Sequence, residues 1–273
     1  MNYRHSFHAG NFADLLKHAV ALDLMARLTV QDGPLTVIDT HAGAGLYDLS
    51  STDSTRSREA EAGVGRLMGA ETPAPLSALR AAVQRLNGGA DGPLYPGSPW
   101  LIRQALRDGD AYVGCELKLE VHGGLAQMLL RPGPGGARAL NADGYEALDD
   151  LVRRTGRLFV LIDPPFERSD DYTRAAEAAA RTVAARADAV VAIWTPLKDL
   201  ETFDGLMRDL KRRGAKATAI EARLRPLSDP MKMNGCAMVL IGAPLGAVEA
   251  AGLAAEAVVG LLGDADGSVR VWS

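Results

Sequence analysis

The sequence predicts an α/β fold around a mostly parallel sheet, and three observations predict it. Short apolar runs recur at 35–39, 111–116, 137–141, 157–162, 189–195, 215–224 and 237–243, with helical patterns at 11–30, 117–130, 144–154, 170–187, 198–213 and 246–262. Strands alternating with helices give parallel pairs covered by helices on both faces. Leu158 to Ile162 runs without a polar residue into Asp163-Pro164-Pro165-Phe166. Leu35 to Ile38 runs into Asp39-Thr40-His41-Ala42-Gly43-Ala44-Gly45. Open α/β sheets bind ligands beyond the carboxyl ends of their strands, so both loops fall where a site is expected.

The chain opens on Tyr3-Arg4-His5-Ser6-Phe7-His8-Ala9-Gly10-Asn11-Phe12-Ala13-Asp14-Leu15-Leu16-Lys17-His18, which holds three of its five histidines. Asn11 is placed to cap a helix whose apolar positions are Leu15, Ala19, Leu22 and Met25. On that helix Asp14, Lys17 and His18 lie on neighbouring parts of one surface. No His-x-x-x-His pair with a carboxylate partner stands out, so a metal site is not expected.

In the first strand and loop, glycines let the backbone turn and approach a ligand without a Cβ in the way. A dinucleotide fingerprint needs a third glycine at position 48, where Asp48 stands. The loop suits a ligand with an amine and a carboxylate, of which S-adenosylmethionine (SAM) is the usual case. An acidic partner for a ribose is expected about 20 residues beyond such a loop. Glu116, at the end of the next convincing strand, comes far later. An insertion over 48–93, with helical segments near 57–70 and 75–87, accounts for the gap. Gly133-Pro134-Gly135-Gly136 reads as a turn. At the fourth run, Asp163 precedes proline and is held extended at a strand edge. A carboxylate, a proline carbonyl and an aromatic face together suit a planar amine. The last two runs, joined through Pro226, Pro230 and Gly235, suit an antiparallel closing pair.

Composition narrows the function classes. The 273 residues are 47% hydrophobic, enough for a sizeable core, and the net charge of −4 excludes a generally basic nucleic-acid coat. Contacts with nucleic acid must come from local patches, such as 198–232 with nine Lys/Arg against six Asp/Glu, although a solvated charged face reads equally well there. Cys115 and Cys236 are far apart and fall at apolar strand ends, the pattern of buried free thiols in a reducing compartment. No signal segment or membrane span is read, so the expected location is cytoplasmic.

The N-terminal motif, Asp39-Thr-His-Ala-Gly-Ala-Gly45, Tyr95-Pro-Gly-Ser-Pro99, Ala142-Asp-Gly144 and Ile162-Asp-Pro-Pro-Phe166 resemble, in order, the RlmJ family of 23S ribosomal RNA adenine-N6 methyltransferases. The likeness is close from Tyr3 to Phe166 and looser to Ser273. It implies a Rossmann-like SAM-dependent methyltransferase fold with a mostly parallel seven-stranded sheet. Residues 1–47 and 94–273 would form the catalytic domain, N-terminal helix included, and 48–93 an inserted helical subdomain. It implies Asp163, Pro164 and Phe166 as catalytic residues around a flipped adenine. His18, His41, Ser98, Glu116, Asp143 and Gly144 would bind SAM, and Tyr3 and Lys17 would face the RNA. The implied partner is 23S ribosomal RNA before full ribosome assembly, with no membrane and no obligate protein partner. Phe166 departs from the family, which usually carries Tyr there: the stacking face remains and the hydroxyl is lost. A DNA adenine-N6 methyltransferase would share the Asp-Pro-Pro chemistry, but no separate target-recognition domain is evident. A nicotinamide-dependent dehydrogenase would want the third glycine, and a noncatalytic RNA-binding module would not need a rigid Asp-Pro-Pro.

Overall fold

Unbroken apolar runs become strands buried on both faces. The computed structural model describes residues 8–51, 58–153, 156–226 and 233–273. Its strands are β1 (Leu35–Asp39), β2 (Leu46–Asp48), β3 (Leu94–Pro96), β4 (Ala111–Cys115), β5 (Gly136–Leu140), β6 (Arg157–Ile162), β7 (Val190–Pro196), β8 (Ala217–Arg223), β9 (Gly235–Ile241) and β10 (Ser268–Trp272). Every residue of β1 and β9 is buried, as covered central strands require. Alternate residues serve opposite faces. Val37, Phe159 and Leu161 meet helix α1 (Phe12–Thr29), helix Ser98–Ala105 and helix Ala247–Leu262, while Ile38, Val160 and Ile162 meet helices Gly144–Leu151, Asp171–Ala185 and Leu200–Arg212.

The main sheet has eight strands in the order β10-β8-β9-β7-β6-β1-β4-β5. Strands β5, β4, β1, β6 and β7 run parallel; β9 is antiparallel to both β7 and β8. This is the expected Rossmann-like arrangement, and β8–β9 is the expected antiparallel pair. The strand count of seven is corrected to eight. The additional β10 pairs antiparallel with β8 at the edge. Ser268, Arg270 and Val271 are exposed along it, so it has no apolar run to announce it. It is tied by Trp272, whose Nε1 donates to buried Glu221 of β8, the carboxylate that Arg223 of the same strand also holds.

Chain order reverses at β1, which lies between β4 and β6. A crevice forms beyond the carboxyl ends at such a switch point. Register brings the two loops of interest together: Asp39 pairs with Leu161, two residues before Asp163.

The segment after the glycine loop leaves and returns through one short ladder. β2 and β3 pair antiparallel, Tyr47 opposite Tyr95 and Asp48 opposite Leu94, so its ends meet. Between them lie the π-helical turn Glu61–Gly65, helix Arg66–Gly69, the 3₁₀ turn Ala74–Leu76 and helix Ser77–Leu86. Val64, Leu67, Leu76 and Leu79 bury into one cluster with Leu15, Leu16 and Leu24 of α1. The Val64 amide donates to the Gly10 carbonyl at 2.8 Å. Both cysteines are free and buried, and burial pushes each thiol up to about 12. Among the described residues no helix is long and apolar enough to cross a membrane.

Candidate active site

Asp39 ends β1 with its side chain fully buried. Its Oδ2 accepts from Ser98 Oγ at 2.7 Å and from the Tyr112 hydroxyl at 3.2 Å, while Oδ1 has no hydrogen-bond partner. Burial pushes its carboxyl up to about 6, against the opposing pull of the Ser98 hydrogen bond; the nearby Asp163 charge adds to the rise. A buried carboxylate oxygen without a donor is costly unless a ligand supplies one. Sequence reasoning gave Asp39 no role, although its place before the glycine loop was the available signal. Ser98 acts on Asp39, at the start of a helix that the Tyr95-Pro96-Gly97 turn launches.

The glycine loop and Glu116 face each other despite their separation in sequence. The Gly43 amide donates to Glu116 Oε2 at 3.2 Å, and the Lys118 amide to Oε1 at 2.8 Å. Gly43 has φ +63°, and a Cβ there would come within 2.3 Å of the Tyr47 hydroxyl. The β2–β3 ladder explains how Glu116 can come late and still complete the loop: the intervening chain is looped out.

Asp143 and Gly144 open the helix that packs on the end of β1. The Asp143 carboxylate caps it, accepting from the Tyr145 amide at 2.9 Å, and pairs with Arg174 Nη2 at 2.7 Å. Burial would raise this carboxyl, but Arg174 and the cap hold it below the usual range. A Cβ on Gly144 would lie 1.9 Å from the Thr40 carbonyl oxygen, so only glycine permits the approach. His41 turns Nδ1 to Thr40 Oγ1 at 2.8 Å and sets its ring against Tyr145, centroids 4.8 Å apart. Burial lowers its pKa to about 4, so the ring is neutral at pH 7.

The described part of the N-terminal motif, from His8 onward, is mostly buried, where the sequence suggested a surface. Asn11 caps α1 as expected, its Oδ1 accepting from the amides of Ala13 and Asp14. Asp14, Lys17 and His18 are at most 4% exposed. Lys17, expected to offer a charge to phosphate, is spent on two carboxylates: Nζ lies 2.8 Å from Asp14 Oδ1 and 2.6 Å from Asp163 Oδ2. Burial pulls its pKa down, but the two carboxylates outweigh that and hold it well above the ordinary lysine value. The physical reason is that α1 lays this side chain against the strand ends, where Asp163 after β6 and the Trp194 ring of β7 stand beside the ammonium in place of water. His18 Nδ1 lies 2.9 Å from the Tyr95 hydroxyl. Tyr3 lies outside the described residues.

In the Asp-Pro-Pro-Phe loop, Asp163 is partly exposed, Pro164 buried and Pro165 exposed. Phe166 sits at φ +50°, a left-handed conformation rare for a side-chain-bearing residue. Its ring is 3% exposed, packed 4.5 Å from Tyr172 and 5.9 Å from Trp194 between centroids, and Lys198 Nζ donates to its carbonyl at 3.0 Å. The structure thus gathers Ser98, Glu116, His41, Asp143, Gly144, Lys17 and Asp163 around the ends of β1, β4, β5 and β6.

Comparison with known proteins gives the family. Residues 32–272 match the family described as "Ribosomal RNA large subunit methyltransferase D, RlmJ". The chain is 34% identical over 247 residues to ribosomal RNA large subunit methyltransferase J of Escherichia coli, covering 89% of this chain and 88% of that protein. The Haemophilus influenzae protein of the same name is 32% identical over 251 residues, with the same coverage. A crystal structure of a Legionella pneumophila protein superposes with a TM-score of 0.88 at 26% identity, covering 97% of this chain and 98% of that one. With the family matched over nearly the whole sheet and two relatives above 30% identity, the chain belongs to the RlmJ family of ribosomal RNA large subunit methyltransferases.

Proposed function

We propose that this chain methylates N6 of one adenine in 23S ribosomal RNA, in the cytoplasm and before ribosome assembly is complete. The observation that carries the reading is the part-buried Asp163–Lys17 contact together with a fully buried carboxylate, Asp39, one of whose oxygens lacks a partner. One carboxylate suits the amine of a substrate base and the other the amine of a cofactor.

S-adenosylmethionine is the methyl donor, supplying a sulfonium-activated methyl group. Asp39, positioned by Ser98, suits its ammonium. Glu116, facing the glycine loop, suits the ribose hydroxyls, and Asp143 with Gly144 suits the adenine; His41 and His18 line the same region. On the substrate side, the adenine N6 lone pair is delocalised into the ring, so the protein must orient the amine. Asp163 accepts a hydrogen bond from one N6 proton and takes that proton late. The Pro164 carbonyl accepts the other. Phe166, fixed by its aromatic neighbours, lies beside a base turned out of its helix, and Tyr3 is retained as a substrate-facing residue. In this reading 1–47 and 94–273 form the catalytic unit, and 48–93 is an insert that braces the N-terminal motif.

The test is nucleoside mass spectrometry of ribosomal RNA with and without the gene, joined to assays of the purified enzyme on naked 23S RNA, assembled large subunits and DNA of the same sequence. Loss of one N6-methyladenosine and preference for naked RNA are expected. Methylation of DNA alone would replace the substrate assignment.

A further inference from the structure

We propose that Asp14 is a positioning residue for methyl transfer: it keeps the Lys17 ammonium neutralised so that Asp163 can turn to the substrate amine. This deepens the reading above and rests on it. The observation is a single buried ammonium held by two carboxylates, at 2.8 Å from Asp14 and 2.6 Å from Asp163.

The two carboxylates are not equivalent. Asp14 lies on α1 itself, three residues before Lys17, and its other oxygen accepts from the Gly10 amide at 2.9 Å. Its position is therefore fixed by the backbone whatever Asp163 does. Asp163 lies on the loop after β6 and is the more exposed, at 13% against 3% for the two side chains. If Asp163 offers its carboxylate to an amine, the bond to Lys17 must loosen. A buried ammonium left with no anion is strongly disfavoured. With Asp14 in place, Lys17 always retains one partner, and Asp163 can exchange one donor for another. Without Asp14, Lys17 would hold Asp163 as its sole counter-ion.

The other groups around Lys17 do not take over this duty. Trp194 offers a ring face, with Nζ 5.9 Å from its centroid. Asp39 is held by Ser98 and Tyr112. Tyr47, Tyr95 and Cys236 are buried groups whose pKa values are pushed up, so they remain neutral.

The test compares Asp14→Asn with wild type on 23S RNA, with SAM varied to saturation. Asparagine's one oxygen keeps an acceptor for the Gly10 amide, and its NH2 replaces the charged oxygen that faces Lys17. We expect kcat to fall tenfold or more while KM for SAM stays within twofold, because Lys17, left with no second carboxylate, keeps Asp163 from the substrate amine. An unchanged kcat, or a fall matched by an equal rise in KM for SAM, overturns the proposal. Single-turnover rates of Lys17→Met and Asp14→Asn/Lys17→Met give a second, independent arm should the single Asp14 variant fail to fold. Equal rates support coupling through Lys17, and a further loss in the double variant assigns Asp14 to seating Gly10 alone. Wild type is read first: inactivity on 23S RNA would defeat the substrate reading itself, whereas activity in wild type with no effect of Asp14→Asn defeats only this proposal.

Discussion

Asp163 and Asp39 hold opposite positions in one site, one paired with a cation and one short of a donor. Replacing Asp163 by alanine removes the acceptor proposed for the substrate amine but leaves Lys17 its contact with Asp14. Methyl transfer should be abolished while SAM binding survives. Calorimetry showing that SAM binding is lost as well would move Asp163 into cofactor binding. Asp39 makes a prediction about pH. Its carboxyl is raised to about 6 in the folded protein. A raised acid favours the folded state at low pH, and that contribution, roughly 3 kcal/mol for a shift of this size, is lost as pH rises through about 6. An ammonium ligand reverses the preference, since it needs the ionised form. SAM affinity should therefore climb as pH passes upward through about 6, and Asp39→Asn should flatten the profile. A wild-type titration with no inflection between pH 5 and 7 would remove Asp39 from the ammonium site.

At the scale of elements, the site depends on how closely a helix can approach a strand end. Helix Gly144–Leu151 meets β1 through Gly144, where a methyl group would sit 1.9 Å from the Thr40 carbonyl. Gly144→Ala must push the helix away, taking Asp143 and the ring packed on His41 with it. A loss of about 1–3 kcal/mol is expected from such overpacking, read as a lower melting temperature, together with weaker SAM binding. Undiminished stability would mean the helix shifts freely and does not set the site. The Asp-Pro-Pro-Phe loop is fixed differently. Phe166 accepts a left-handed backbone because its buried ring and the Lys198 hydrogen bond hold it there.

For the molecule as a whole, two parts lie at its margins: the segment between β2 and β3, and the edge strand β10. The segment between β2 and β3 packs on α1. The edge strand β10 covers β8 and hangs on Trp272, which donates to Glu221 and meets the Phe203 ring edge-on at 5.9 Å. Trp272→Ala should cost about 2–3 kcal/mol, below the usual range for buried aromatic truncations because the ring is partly exposed. Chemical denaturation checks this, and SAM affinity should be unchanged, since β10 lies at the edge away from β1. With a net charge of −4, RNA binding relies on local cations. The Lys17 charge is paired with Asp14 and Asp163.

The sequence by itself determined seven strands of the main sheet, the two loops and the family. Those are local matters: an unbroken apolar run, an Asp before two prolines, and glycines where a Cβ cannot fit are each visible in a few adjacent residues. Glu116 was also legible, but its partnership with the Gly43 amide was not explicable by spacing, because β2 and β3 loop out the intervening chain. Asp39 escaped notice because its importance lies in one oxygen that nothing reaches, and a missing partner has no sequence signature. β10 escaped because a half-exposed edge strand needs no apolar run. Only the tertiary structure decided the state of Lys17. Lysine is a residue type almost never fully buried unless paired, and this one became an interior ion pair because the end of β6 brings Asp163 within 2.6 Å of its helix.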